Sequence, residues 1–232
     1  MNDEIETYLS ISPNKFEIYL FDKKNLLNTY KEKIEINSNK DEIDYNLLIN
    51  FLEKNIFKIE KLIGKFIKNI YLILNHKKVL NLSLGIKKKN YNQIINKKHL
   101  ESILIEAKDL FNETYQDKQI MHMVINKYIV NDKYYNKLEK DLVSDFLCIE
   151  MEFISVPNSF ASDISRILEK YQIKIVKYFD YNYIENLFLE KNIELSHMAF
   201  KLQNGFNENE VILVPKNLKK VGFFERFFQL FS

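Results

Sequence analysis

The residues whose types and spacing best define a chemistry are the last fifteen, LKKVGFFERFFQLFS, which hold five phenylalanines. Wound at 100° per residue, Val221, Phe223, Phe224, Phe227, Phe228, Leu230 and Phe231 fall within roughly half of a helix circumference. Glu225, Arg226 and Gln229 take the other half, and Lys216, Lys219 and Lys220 stand just upstream. An aromatic face, a sparsely charged polar face and basic flanks are what a helix needs to lie in the plane of a membrane surface. The expected contact set is therefore Lys219, Lys220, Val221, Phe223, Phe224, Arg226, Phe227, Phe228, Leu230 and Phe231, against an anionic membrane surface. Two other destinations suit the same stripe: the protein's own core, or the groove of a partner.

No comparable pattern supports catalysis. His76, His99, His122 and His197 are far apart, and none forms the i, i+4 pair of a helical metal site. His122, between Met121 and Met123 in a strand, reads as outward-facing or satisfied rather than as a ligand. Glu150 and Glu152 share one face of a strand and are expected to face solvent. Cys148 lies in an apolar strand and reads as buried filler; alone, it excludes a disulfide within one chain and suits a reducing cytosol. No serine sits in a nucleophile elbow. The reading is of a protein that is not an enzyme and needs no cofactor or metal.

Elements able to position the tail follow from composition and pattern. With 232 residues, 46% apolar and 28% charged, the chain is long enough for one large or two small globular domains. Its 34 basic residues include only two arginines, Arg166 and Arg226, which argues against nucleic-acid or specialised phosphate recognition, where guanidinium forks are favoured. The acidic start has the wrong polarity for a signal peptide, and no apolar run nears the ~20 residues of a spanning helix. A protein made and kept in the cytoplasm, peripheral on a membrane, is the expectation.

Periodicity predicts strands over 6–10, 16–21 and 29–36, forming an antiparallel meander with a turn at Ser12-Pro13-Asn14. A helix over 44–63, ended by Gly64, leads to strands over 69–74 and 79–84. A helix over 97–111 precedes strands over 119–130 and 142–156. Asn158 or Ser159 is the expected cap of a helix over 160–171, followed by a strand over 173–179. A helix over 183–191, extendable to 200, and a short strand over 210–214 complete the body. The fold class is α+β, with small mixed sheets and segregated helices.

The order of these elements over residues 66–180 resembles part of FtsA, the actin-like bacterial division protein that attaches FtsZ filaments to the inner membrane. The matching stretches are FIKNIYLILNHKKVLNLSLGI (66–86), HLESILIEAK (99–108), QIMHMVINKYIVND (119–132) and VPNSFASDISRILEKYQIKI (156–175). The resemblance implies an inserted-type domain over 66–180 and a remnant actin-like meander and helix over 1–65. It leaves a connecting helix and short strand over 181–214, and a linker with an amphipathic membrane helix over 215–232.

Departures from the family are equally specific. The first phosphate hairpin of such an ATPase needs an acidic-x-Gly-Ser/Thr turn, because backbone amides must approach the phosphate unobstructed. Here the turn reads Ser10-Ile11-Ser12-Pro13, without the acid or the glycine, and Pro13 lacks an amide donor. The chain has only four glycines, Gly64, Gly85, Gly205 and Gly222, and about fifty residues follow Phe179, too few for the family's remaining subdomains. The resemblance thus implies a trimmed, non-catalytic division adaptor that tethers partners to the cytoplasmic face of the inner membrane, at its anionic surface, with self-association open. FtsZ is a possible partner, although the subdomain that ordinarily holds it is missing. The alternative is a cytoplasmic scaffold of a pilus or secretion assembly.

Overall fold

A computed structural model of the chain describes residues 4–37, 41–188 and 192–212. In chain order, the described residues form β1 (Ile5–Ser12), β2 (Lys15–Asp22), β3 (Leu27–Glu35), α1 (Tyr45–Ile63) and β4 (Asn69–Leu74). β5 (Leu80–Ile94), α2 (Lys97–Thr114), β6 (Lys118–Val130), β7 (Lys133–Tyr135) and β8 (Val143–Pro157) follow. α3 (Asn158–Glu169), β9 (Lys174–Asp180), α4 (Tyr181–Leu187) and α5 (Leu195–Gln203) end the series. They make two compact units: Met1–Val79 with Pro157–Phe206, and Leu80–Val156 with the chain from Asn207 onward. The stretch 66–180 contributes to both, since β4 and β9 belong to the first unit and β5 to β8 to the second.

The first unit is built on a five-stranded sheet of order β3-β2-β1-β4-β9. β1, β2 and β3 form the expected antiparallel meander, while β4 runs parallel to β1 and β9 parallel to β4. Parallel neighbours need long crossovers. α1 supplies the first: Asp44 caps it by accepting a 3.0 Å bond from the Leu47 amide, and Gly64 ends it at φ 67°, a left-handed position that suits glycine. The helices are not segregated to one side here. Phe16 meets Phe51 of α1 at 6.1 Å between ring centroids, whereas Tyr8, Tyr19, Phe21, Ile73 and Phe179 on the opposite face bury against α4 and α5. Strands whose alternate residues are both large and apolar, such as FEIYLF in β2, need cover on both faces. Fully burying each such side chain contributes about 1.5–3 kcal/mol.

In the second unit the sheet order is β5-β8-β6-β7. β8 alternates: Leu147, Ile149, Met151 and Phe153 are buried beneath α2, whose inward residues are Leu100, Ile103, Leu104, Ala107 and Phe111. Phe111 and Phe153 stack at 4.9 Å and 12° between planes. The other side of β8 carries Cys148, Glu150 and Glu152, all half-buried. Cys148 therefore does not fill the core, and Glu150 pairs with Lys127 at 3.0 Å rather than simply facing water.

Three local features differ from expectation. β5 extends to Ile94, well past residue 84, because its lysine-rich second half pairs with β8 from Lys87 opposite Cys148 to Lys89 opposite Phe146 and, after a bulge, from Gln93 opposite Ser144 to Ile94 opposite Val143. α3 starts at Asn158, with Pro157 at the cap position and no side-chain cap bond; the proline's φ of −59° prepares the turn into the helix. The helix expected over 183–191 is α4, which ends at Leu187, and its possible extension to 200 falls on a second helix, α5, with residues 189–191 between them outside the description. Of the strand over 210–214, Glu210 forms an isolated bridge with Val124.

Candidate functional site

The hairpin between β1 and β2 is where an actin-like phosphate site would be expected. Ser12 and Lys15 pair across it, leaving Pro13 and Asn14 as the turn. Ser12 Oγ lies 2.7 Å from Asn14 Oδ1 and 2.9 Å from the Lys15 carbonyl, so its proton is held within the turn. The Asn14 carbonyl accepts from the Ile36 amide at 2.8 Å. Pro13 has no N–H, and the turn residues' polar groups serve the hairpin itself. Nothing in this geometry presents the pair of amides that cradles a phosphate.

Beside the hairpin, on the face covered by α4 and α5, lies a shallow cavity of about 250 Å³. Lys15 reaches Glu17 at 2.9 Å, with the Glu17 side chain only 7% exposed, and Lys31 reaches Glu194 at 3.0 Å. With Glu185 on the same wall, three carboxylates face two lysines. Burial, then the bond and charge of Glu185, push the Tyr181 hydroxyl up to about 12, so it is a donor at neutral pH. The cavity is thus mildly acidic and internally paired, and repels rather than attracts a polyphosphate.

In the second unit the notable polar pair is His122 and Glu210. Nδ1 of His122 is 2.9 Å from Glu210 Oε1, and both side chains are nearly inaccessible, at 0% and 5%. Of the two outcomes expected for His122, burial with a partner is the one found. The same contact is flanked by backbone bonds from Ile125 N to Asn209 O (2.9 Å) and from Val211 N to Met123 O (2.8 Å). Residues 209–211 thereby continue the outer edge of β6 beyond β7, which pairs with Tyr128–Val130. Glu210 is 88 residues from His122, and no local signal in the sequence connects them. The Cys148 thiol is pushed up by burial and then by Glu150, the reverse of an activated thiolate. Among the described residues, no three His, Cys, Asp or Glu side chains are grouped to hold a metal ion.

His76, His99 and His197 are all held below the usual histidine value, each first by burial and then by neighbouring lysines. Their unfolded forms therefore take up protons at higher pH than their folded forms. Stability from these groups is complete above pH 6.5, the ordinary value, and is lost as pH falls toward the depressed folded values. Urea unfolding should give a constant midpoint between pH 7 and 8 and a falling one toward about pH 5. A midpoint rising on acidification contradicts the burial found for these rings.

The expected membrane-contact set, Lys219 to Phe231, lies outside the described residues, as do residues 213–214 of the expected last strand. No described helix is long and apolar enough to cross a membrane.

Together, two sheets and five helices in a mixed α+β arrangement are consistent with an actin-like fold. Comparison with solved structures agrees at that level. The chain superposes on a protein of the "PilM-PilN type IV pilus biogenesis complex" with a TM-score of 0.51 and 8% identity, over 77% of this chain and 48% of that one. Weaker likenesses are to the cytoplasmic domain of EpsL, an inner-membrane component of the type II secretion system of Vibrio cholerae, and to a Bacteroides thetaiotaomicron protein with an actin-like ATPase fold. The first has a TM-score of 0.35, 9% identity and 76% and 54% coverage. The second has 0.33, 12% and 80% and 58%. The chain spans about half the length of the structures it matches. No family model matches the sequence, and no curated protein matches it significantly. The likeness is one of fold, and FtsA specifically is not shown by it.

Proposed function

We propose that this protein is a non-catalytic scaffold on the cytoplasmic face of the inner membrane, serving an assembly of the pilus or secretion type. The observation that carries the reading is the superposition on the pilus-complex protein over three quarters of the chain. Support comes from the β1–β2 hairpin, whose Ser12-Pro13-Asn14 turn has no glycine and, at Pro13, no amide donor for a phosphate. The terminal aromatic segment is the proposed membrane anchor. A division adaptor of the FtsA kind is the second reading, favoured by that tail, since scaffolds of the first kind usually reach the membrane through partners.

Two measurements test this. Calorimetric titration with Mg-ATP should give no binding heat; a dissociation constant below about 100 µM, roughly −5.5 kcal/mol, overturns the non-catalytic reading. In-cell crosslinking with identification of the captured proteins should recover inner-membrane components of a pilus or secretion assembly. Recovery of FtsZ and other division proteins in their place makes the division adaptor correct.

A further inference from the structure

We propose that the folded first unit carries a lipid-contacting surface of its own, at the C-terminal end of α1 and the turn that follows. Phe57 (70% exposed), Leu62 (62%) and Phe66 (79%) all stand in solvent there, and Phe66 is the most exposed large apolar side chain described. Phe57 projects from the side of α1 opposite Leu48, Leu52 and Ile59, which hold the helix to the sheet. It is no frayed core residue.

Around these side chains lysines outnumber acids. Residues 53–68 contain five lysines and two glutamates, while the whole chain nets only +2. Lys54, Phe57, Lys58 and Lys61 stand at i, i+3, i+4 and i+7, so three ammonium groups line one flank of the phenylalanine, while Glu53 and Glu60, at i−4 and i+3 from it, line the other. Leu62 lies one turn beyond Lys58. After the left-handed Gly64, Lys65 and Lys68 flank Phe66 in the same way, both exposed. Glu60 is half-buried and accepts a 3.1 Å bond from the Ile67 amide, while Glu53 is exposed. Lys58 lies 3.6 Å from Glu32.

Apolar knobs bordered by lysines match the headgroup layer of an anionic bilayer, where rings enter the acyl boundary and ammonium groups meet phosphates. Charge decides against another occupant, the chain's own terminal segment. It carries Lys216, Lys219, Lys220 and Arg226 against Glu225, and like charges would oppose its docking here. A second copy of the same surface is disfavoured for the same reason.

The chain has no tryptophan, so a single one reports cleanly. Full-length Phe57→Trp and Phe66→Trp are each mixed with vesicles of phosphatidylglycerol and phosphatidylcholine, or of phosphatidylcholine alone, and Phe227→Trp in the tail serves as the reference. Emission of the Phe57 and Phe66 variants should shift to the blue with anionic vesicles, not with neutral ones, and the shift should shrink as salt is added. Phe57→Ser with Phe66→Ser in the full chain should weaken partitioning onto anionic vesicles about tenfold. The proposal is overturned if the tail reporter shifts while both surface reporters do not. It is overturned also if the surface reporters shift without vesicles as protein concentration rises, which would make the occupant a second copy. Failure of this surface leaves the tail and the scaffold reading standing, because the Phe227 variant and the crosslinking report on those separately.

Discussion

Phe224→Glu with Phe228→Glu should release the full-length protein from anionic liposomes, and Glu225→Gln should not. The double substitution places two carboxylates at the centre of the terminal aromatic face. Partial insertion of five phenylalanines and Leu230 contributes several kcal/mol, given about 1.5–3 kcal/mol for each fully buried large side chain. Lys216, Lys219 and Lys220 near an anionic surface add about 1 kcal/mol each. Ordering the helix offsets part of this, which leaves attachment micromolar and reversible. Several copies gathered on one assembly would hold far better than one. If the double variant still floats with liposomes, or the unsubstituted protein never does, the tail is not the anchor.

The largest stability effect is expected at Phe153. It is fully buried, stacked on Phe111 at 4.9 Å, and sits in the middle of the layer between α2 and the four-stranded sheet. Phe153→Ala removes the ring and leaves a cavity that neighbouring Leu104 and Met151 cannot fill without moving. A loss of about 3–5 kcal/mol follows. Urea unfolding followed by circular dichroism measures it, with Phe57→Ser as a control on an exposed ring expected within ~0.5 kcal/mol. A Phe153 variant as stable as the control would mean that α2 does not pack as described.

Most element positions were legible in the sequence, because each carried its own local punctuation. Asp44 and Gly64 bracket α1, and β4 falls on residues 69–74 as its apolar run predicts. What was not legible lies where tertiary pairing decides. The lysines of β5 have low strand propensity, yet they pair because β8 presents a matching length of strand. Tyr8, Tyr19 and Phe21 face a second helical layer that no pattern local to β1 or β2 reveals. The helical stripe of α1 identified its inner face and passed over Phe57, since a periodicity argument weighs the residues that fit the stripe. Of the candidate site, the Ser12-Pro13-Asn14 turn falls where the sequence places it, between paired Ser12 and Lys15. The His122–Glu210 contact was not legible, for it joins residues 88 apart.

That contact also determines how the protein takes up a mechanical load. Residues beyond 212 continue directly from the segment that pairs with β6, so traction applied through the tail meets the Val211 hydrogen bond first, then the buried His122–Glu210 contact, then the Asn209 carbonyl. Only after these give way would tension pass along the chain to α5 and the five-stranded sheet. A pull on the chain beyond residue 212 would thus peel residues 209–211 from the edge of β6 before it disturbs the first unit.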